Sequence, residues 1–306
     1  MEERDFMPML WAQWKAGKFV SVGLDSEFEK IPEIISSAHS SIAETLFYFN
    51  ARIIDATCDL ACLFKVNSAF YEVHGVSGIK ALIETIEYIT TRAPLVPIIL
   101  DAKRADIGNT NNNYAKFAFE ACRADAITVN PYFGGQSLEP FLGSKNKGIF
   151  VLCRTSNPGA EEFQSRLVRV REDEFKKFNE ILSYESGPLV PLYQLVALRV
   201  TTEWNKNGNC GLVIGATAPS ELWAVRKISG DVPILIPGVG AQGGDLETVI
   251  KSARSKDGKL NAIINSSRGI IFASKGDYFA DAARRETEKL TNEINRILSE
   301  KEEVKQ

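Results

Sequence analysis

The chain has 306 residues, 44% of them hydrophobic and 25% charged, with a formal net charge of −3. That is an ordinary globular composition with enough chain for a large core, and the absence of a basic face argues against nucleic acid as a partner. The charged start Met1-Glu-Glu-Arg-Asp5 lacks a signal-peptide core, and no apolar run is long enough to span a bilayer, so we expect no membrane partner and a cytoplasmic location.

Residues 1–18 carry Trp11 and Trp14 and predict a helical extension lying against the body of the protein. Apolar, β-branched runs then recur, each followed by a longer helical pattern. They are Phe19-Val-Ser-Val-Gly-Leu24, Ala61-Cys-Leu-Phe-Lys-Val66, Val96 to Leu100, Ala126-Ile-Thr-Val129, Ile149-Phe-Val-Leu-Cys153, Leu212-Val-Ile214, Pro233-Ile-Leu-Ile236 and Ala262-Ile-Ile264. Among the helical stretches, one runs from about Asn111 to Arg123. Tyr193, Val196, Ala197, Val200 and Trp204 form an apolar stripe, as do Phe279, Ala283, Leu290, Ile294 and Ile297. Strands alternating with helices imply a parallel sheet. Eight such units predict an α/β fold closed into a single-domain (β/α)8 TIM barrel over 19–299. An open doubly wound sheet is the alternative, but no Gly-x-Gly-x-x-Gly follows the first strand. Charged residues at about 160–187 lengthen the fifth strand-to-helix connection as an insertion. The run at 300–306 reads as a fraying C-terminal tail.

The polar residues at the strand ends carry the functional signal, because ligands bind at that edge of parallel α/β folds. The first strand ends in Asp25, and the second contains Lys65, costly to bury without a partner. Asp25 and Asp101 are its natural partners. The third strand runs into Asp101-Ala-Lys103-Arg-Ala-Asp106, where strand periodicity puts Asp101 and Lys103 on one face. An ammonium held among carboxylates stays charged. The fifth strand leads to Arg154-Thr-Ser156-Asn-Pro-Gly159. The seventh leads to Pro237-Gly-Val-Gly-Ala-Gln242-Gly-Gly-Asp245, and the eighth to Asn265-Ser-Ser267-Arg268-Gly269. Singly, each is explicable as a cap or a turn; in a barrel they ring one mouth. The last two suggest a phosphate site, with backbone N–H groups from the Gly-rich turn, an amide from Gln242 and the guanidinium fork of Arg268.

Other chemistry is poorly supplied. The only histidines are His39 and His74. Cys58, Cys62, Cys122, Cys153 and Cys210 lack metal-site spacing and read as reduced thiols, although Cys58 and Cys62 have the spacing of one helical turn. No metal site is expected.

The pattern resembles the orotidine 5′-phosphate decarboxylase family, in its longer bacterial-type branch. The resemblance rests on Asp101-x-Lys103-x-x-Asp106-Ile107-Gly-Asn-Thr110, Phe64-Lys65-Val-Asn67, Thr155-Ser156-Asn-Pro-Gly159, the Pro237 to Asp245 turn and Ser267-Arg268-Gly269. It implies conversion of orotidine 5′-monophosphate to UMP and CO2 in de novo pyrimidine biosynthesis, without a cofactor. Lys103 would protonate C6, Asp101 would sit beside the departing carboxylate, Lys65 would orient Asp101, and Asp25 would bind a ribose hydroxyl. Asp106 and Thr110 would cross a homodimer interface to complete the neighbour's site. Ser156 would read the pyrimidine edge; Gln242, Arg268 and the Ser267 backbone would hold the phosphate; Ile107 and Pro237 complete the implied substrate contacts. The alternative is a sugar-phosphate decarboxylase of the same superfamily, resembling 3-keto-gulonate 6-phosphate decarboxylase, which shares DxKxxD but works through a metal-bound enediolate. A non-catalytic phosphate-ligand binding barrel is the reading from another class, and the complete charge array argues against it.

Overall fold

A computed structural model describes residues 4–183, 187–239 and 245–300. Eight strands form a closed parallel barrel: β1 (Val20–Gly23), β2 (Leu63–Asn67), β3 (Ile98–Arg104), β4 (Ala126–Val129), β5 (Gly148–Arg154), β6 (Cys210–Ile214), β7 (Ile234–Pro237) and β8 (Ala262–Ser266). Neighbours follow chain order and β8 closes onto β1, with Val20 opposite Ile264. The eight strands are those expected from the apolar runs, and the (β/α)8 barrel is confirmed in place of the open sheet.

Period-two alternation divides the core in two. Outward residues such as Phe64, Val66, Ile98, Leu100 and Ile264 pack under the surrounding helices. Inward residues Leu63, Ile99, Ala126, Phe150, Val213, Leu235 and Ile263 form a separate cluster with Phe6, Met7 and Leu10. The helix Phe6–Lys15 thereby seals the N-terminal end of the barrel, and Phe6 meets Phe150 edge-on at 5.6 Å. A side chain at Gly148 would collide with the Phe6 ring, at 2.4 Å from Cδ1. Arg4 anchors this plug by pairing with buried Asp125 at 2.6 Å. Closure below leaves the C-terminal ends of the strands as the way in.

The lengthened fifth connection has structure of its own. Leu167–Arg169 and Leu189–Pro191 pair antiparallel beside the helix Glu172–Leu182. Buried Glu174 of that helix pairs with Arg171 and with Arg199, on the barrel helix Leu192–Arg199.

Three local expectations are corrected. The helix after β3 spans Gly108–Lys116 and continues as a π-helical turn over Phe117–Ala121, so it starts and ends earlier than the periodicity suggested. Cys58 caps the helix Ile42–Thr57, and Cys62 lies beyond it, so the two do not share a helical turn. Asp101 and Lys103 do meet, but not by strand alternation. Four steps along β3, Leu100 to Arg104, match two along β4, Ile127 to Val129, so a bulge intervenes. Lys103 sits there with φ of 47°, a left-handed value uncommon outside glycine. Among the described residues, no helix is long and apolar enough to cross a membrane.

Candidate active site

The same alternation that places Leu63, Ile99 and Ile263 inside the barrel places Lys65, Asp101 and Asn265 inside one step further along. They emerge at the open end, where a cavity of about 450 Å³ is lined by residues from all eight strands or the loops that follow them, Asp25, Lys65, Lys103, Thr128, Ser156 and Arg268 among them. Of the residues singled out in the sequence, Asp101, Pro237 and Ser267 also line it.

The centre of the cavity is a chain of charges. The Lys65 ammonium donates to Asp25 Oδ1 at 3.2 Å and to Asp101 Oδ2 at 3.0 Å. Lys103 Nζ donates to Asp101 Oδ1 at 2.7 Å. Lys65 is 3% exposed and Asp101 8%, whereas about half of the Lys103 side chain is exposed. Burial disfavours the Lys65 ammonium, but Asp101 and Asp25 outweigh it and hold its pKa above the ordinary lysine value. Burial likewise disfavours the Asp101 carboxylate, but Lys65 and Lys103, with a hydrogen bond from Thr128, hold its pKa well below the usual range. Lys65 and Asp101 thus stay ionised although buried. The Lys65 ammonium bridges Asp25 and Asp101.

Three cavity residues carried no role in the sequence reading. Thr128 Oγ1 donates to Asp101 Oδ1 at 2.8 Å and accepts from Lys103 N at 2.9 Å, fixing both the acid and the bulge. It follows inward-facing Ala126 by two residues, and that spacing was the available signal. Asn265 accepts from Ser21 Oγ at 2.9 Å and donates to Ser267 Oγ at 3.3 Å. Gln164 enters from the fifth connection, and nothing in local sequence marks it.

Three of the expected residues stand apart. Asp106, Ile107 and Thr110 do not line this cavity. Asp106 Oδ1 accepts from the Ile107 N–H at 2.7 Å, and Ile107 and Thr110 are exposed. Gln242 lies outside the described residues. Arg154 is buried away from the cavity, donating to Thr155 O at 2.9 Å and facing Glu221 at 3.5 Å. Arg268, by contrast, reaches the cavity wall exposed, with no side-chain partner among the described residues. Beside it Gly238 turns the chain at φ of 96°, and Ser267 precedes the short helix Arg268–Ile271.

Known proteins share this arrangement's frame. A sequence model of the orotidine 5′-phosphate decarboxylase / HUMPS family matches residues 39–282. The orotidine 5′-phosphate decarboxylase of Cellvibrio japonicus is 42% identical over 291 residues, 95% of this chain and 98% of that protein. The enzyme of the same name from Cupriavidus metallidurans is 43% identical over 292 residues, again 95% and 98%. Among solved structures, the OMP decarboxylase of Leishmania donovani superimposes with a TM-score of 0.78 at 33% identity, covering 97% of this chain and 100% of its own. With the family model spanning most of the chain and relatives above 40% identity over nearly its whole length, the chain belongs to the orotidine 5′-phosphate decarboxylase / HUMPS family.

Proposed function

We propose that the chain is a cytoplasmic carboxy-lyase that converts orotidine 5′-monophosphate to UMP and CO2 in de novo pyrimidine synthesis, using its own residues without a cofactor. The observation that carries this is the Asp25–Lys65–Asp101–Lys103 array on the cavity wall, in a chain whose relatives bear that enzyme's name over their full length. Breaking the bond from C6 to the carboxylate releases CO2 and leaves the electron pair on C6, with no π system to take it up. A fixed cation stabilises that charge as it develops, and an ammonium can then transfer a proton to it. Lys103 has both the exposure and the charge for that role. Asp101, ionised and beside it, holds Lys103 in place, and Lys65 holds Asp101 and Asp25. Asp25 would take a ribose hydroxyl, Ser156 the pyrimidine edge, and Arg268 with the Ser267 and Pro237 turns the phosphate, assisted by Gln242. Phosphate binding remote from C6 lowers the barrier indirectly, through binding energy spent on positioning.

Asp106, Ile107 and Thr110 support the second half of the reading, a homodimer with shared sites. They stand outside their own chain's cavity, with Ile107 61% exposed. We read residues 19–299 as the catalytic barrel, with the N-terminal helix and the 160–187 connection as additions to it.

The test is the loss of absorbance as orotidine 5′-monophosphate becomes UMP, run with and without EDTA. Turnover unaffected by EDTA is expected. Turnover abolished by EDTA and restored by a divalent cation would favour the metal-dependent sugar-phosphate chemistry. No turnover of the nucleotide at all would refute the proposal.

A further inference from the structure

We propose that Gln164, supplied by the lengthened fifth connection, is a positioning residue that sets the pyrimidine specificity of the site by holding Thr155 and, through it, Ser156. The proposal rests on the reading of Ser156 as the contact to the pyrimidine edge.

The geometry is a clamp on one residue. Gln164 Oε1 accepts from the Thr155 N–H at 2.8 Å, and Gln164 Nε2 donates to Thr155 Oγ1 at 2.9 Å. The backbone N–H can only donate, so it dictates which way the amide faces. The Thr155 hydroxyl, having accepted from Gln164, donates onward to Asn157 Oδ1 at 2.6 Å. The Thr155 carbonyl accepts from Arg154 Nη1 at 2.9 Å. Every hydrogen-bonding group of Thr155 is therefore engaged, and Gln164 holds two of them.

Ser156 has no room to drift on its other side. A side chain on Gly215 would lie 2.6 Å from Ser156 Cβ and 2.7 Å from its N, so Ser156 is seated flush against the end of β6. Gly215 N also donates to Arg154 O at 2.7 Å. The Ser156 hydroxyl lines the cavity and has no protein partner among the described residues, which leaves it for a ligand. Gln164 is itself anchored: its N–H donates to Ala160 O at 2.8 Å, and its carbonyl accepts from Tyr193 N at 2.9 Å, on the barrel helix Leu192–Arg199. The clamp thus ties the base-reading segment to the barrel rather than to a loose loop. A site that hydrogen-bonds one edge discriminates strongly only if its polar groups cannot move to suit another edge.

The experiment compares binding of UMP and CMP, which differ at that edge, to the full-length wild type and to Gln164→Leu, Gln164→Glu and Ser156→Ala. Gln164→Leu removes both bonds to Thr155. It should narrow the preference for UMP about tenfold, the order expected for one to two lost hydrogen bonds, with the melting temperature lowered by no more than about 5 °C. Gln164→Glu keeps an acceptor for the Thr155 N–H, so it guards against a misfolded leucine variant and should lose part of the preference. If both Gln164 variants weaken UMP and CMP equally while Ser156→Ala collapses the preference, Gln164 only holds the loop together and the inference fails alone. If Ser156→Ala leaves the preference intact, the reading of Ser156 fails and the inference falls with it.

Discussion

Thr128→Val is the most informative single substitution. Thr128 is 1% exposed, and its hydroxyl links Asp101 to the backbone of Lys103, the proposed proton donor, bonding Asp101 Oδ1 at 2.8 Å and Lys103 N at 2.9 Å. Valine keeps the shape and deletes both bonds. A hydrogen bond to a buried carboxylate contributes about 1.5–3 kcal/mol, and one from a part-buried amide about 0.5–1.5 kcal/mol. The methyl that replaces the hydroxyl returns about 0.8 kcal/mol. The net loss is about 1–4 kcal/mol, a fall in melting temperature of roughly 2–6 °C for a chain of this size. The larger effect should be on turnover. Lys103 sits at φ of 47° in a bulge, a conformation that costs about 1–3 kcal/mol and persists only while its surroundings impose it. Released from Thr128, the Lys103 ammonium should shift by a fraction of an ångström to 1 Å, and misplacement on that scale lowers kcat about 10²-fold. Thr128→Ser, which restores the hydroxyl, should recover most of both losses. The absorbance assay for decarboxylation and a thermal melt read the two effects separately. A Thr128→Val enzyme that melts early yet keeps kcat within about threefold of the wild type, less than 1 kcal/mol of barrier, would show that Thr128 packs the barrel without positioning Lys103.

Three further outcomes are expected. Arg268→Ala should lower kcat/KM for orotidine 5′-monophosphate about 10²-fold, roughly 3 kcal/mol for two charge-assisted bonds, and leave the poor turnover of orotidine itself unchanged; equal losses on both substrates would make Arg268 structural. The pH dependence of stability follows from the charge array: Asp101, with its pKa lowered by Lys65 and Lys103 against burial, contributes stability that is full above its unfolded pKa of about 3.9 and is lost as pH falls through the folded value. Lys65, with its pKa raised by Asp101 and Asp25 against burial, contributes stability that is full below about 10.4 and is lost only as pH rises through the folded value. Melting temperatures from pH 3 upward should therefore fall more steeply in acid for the wild type than for Asp101→Asn, and parallel acid limbs would contradict the assignment. Finally, on the proposed homodimer with shared sites, Lys103→Ala and Asp106→Ala should each be inactive alone, and mixed under subunit exchange they should regain about a quarter of native activity, because half the dimers would be mixed and one of their two sites intact; a mixture shown to exchange but still dead would return Asp106 to its own chain's site.

Much of the architecture was legible because it is periodic. Strands and helices announce themselves over windows of a few residues, and eight apolar runs in alternation leave few ways to fold. Lys65, buried in an apolar run, implied the carboxylates it now pairs with, Asp25 and Asp101, 40 and 36 residues away. What local periodicity could not supply was register. The bulge that carries Lys103 exists only because β3 and β4 run out of step beyond Leu100. Thr128 bonds Asp101 only because β4 lies beside β3 in that register. The helix Phe6–Lys15 was visible as a helix, but not as the plug of the barrel, since its partners come from seven different strands. Gln164 sits in a charged, irregular stretch with no pattern to mark it. The distances that make these residues chemistry are set by how eight strands close on one another, a property of the whole sheet that no single segment encodes.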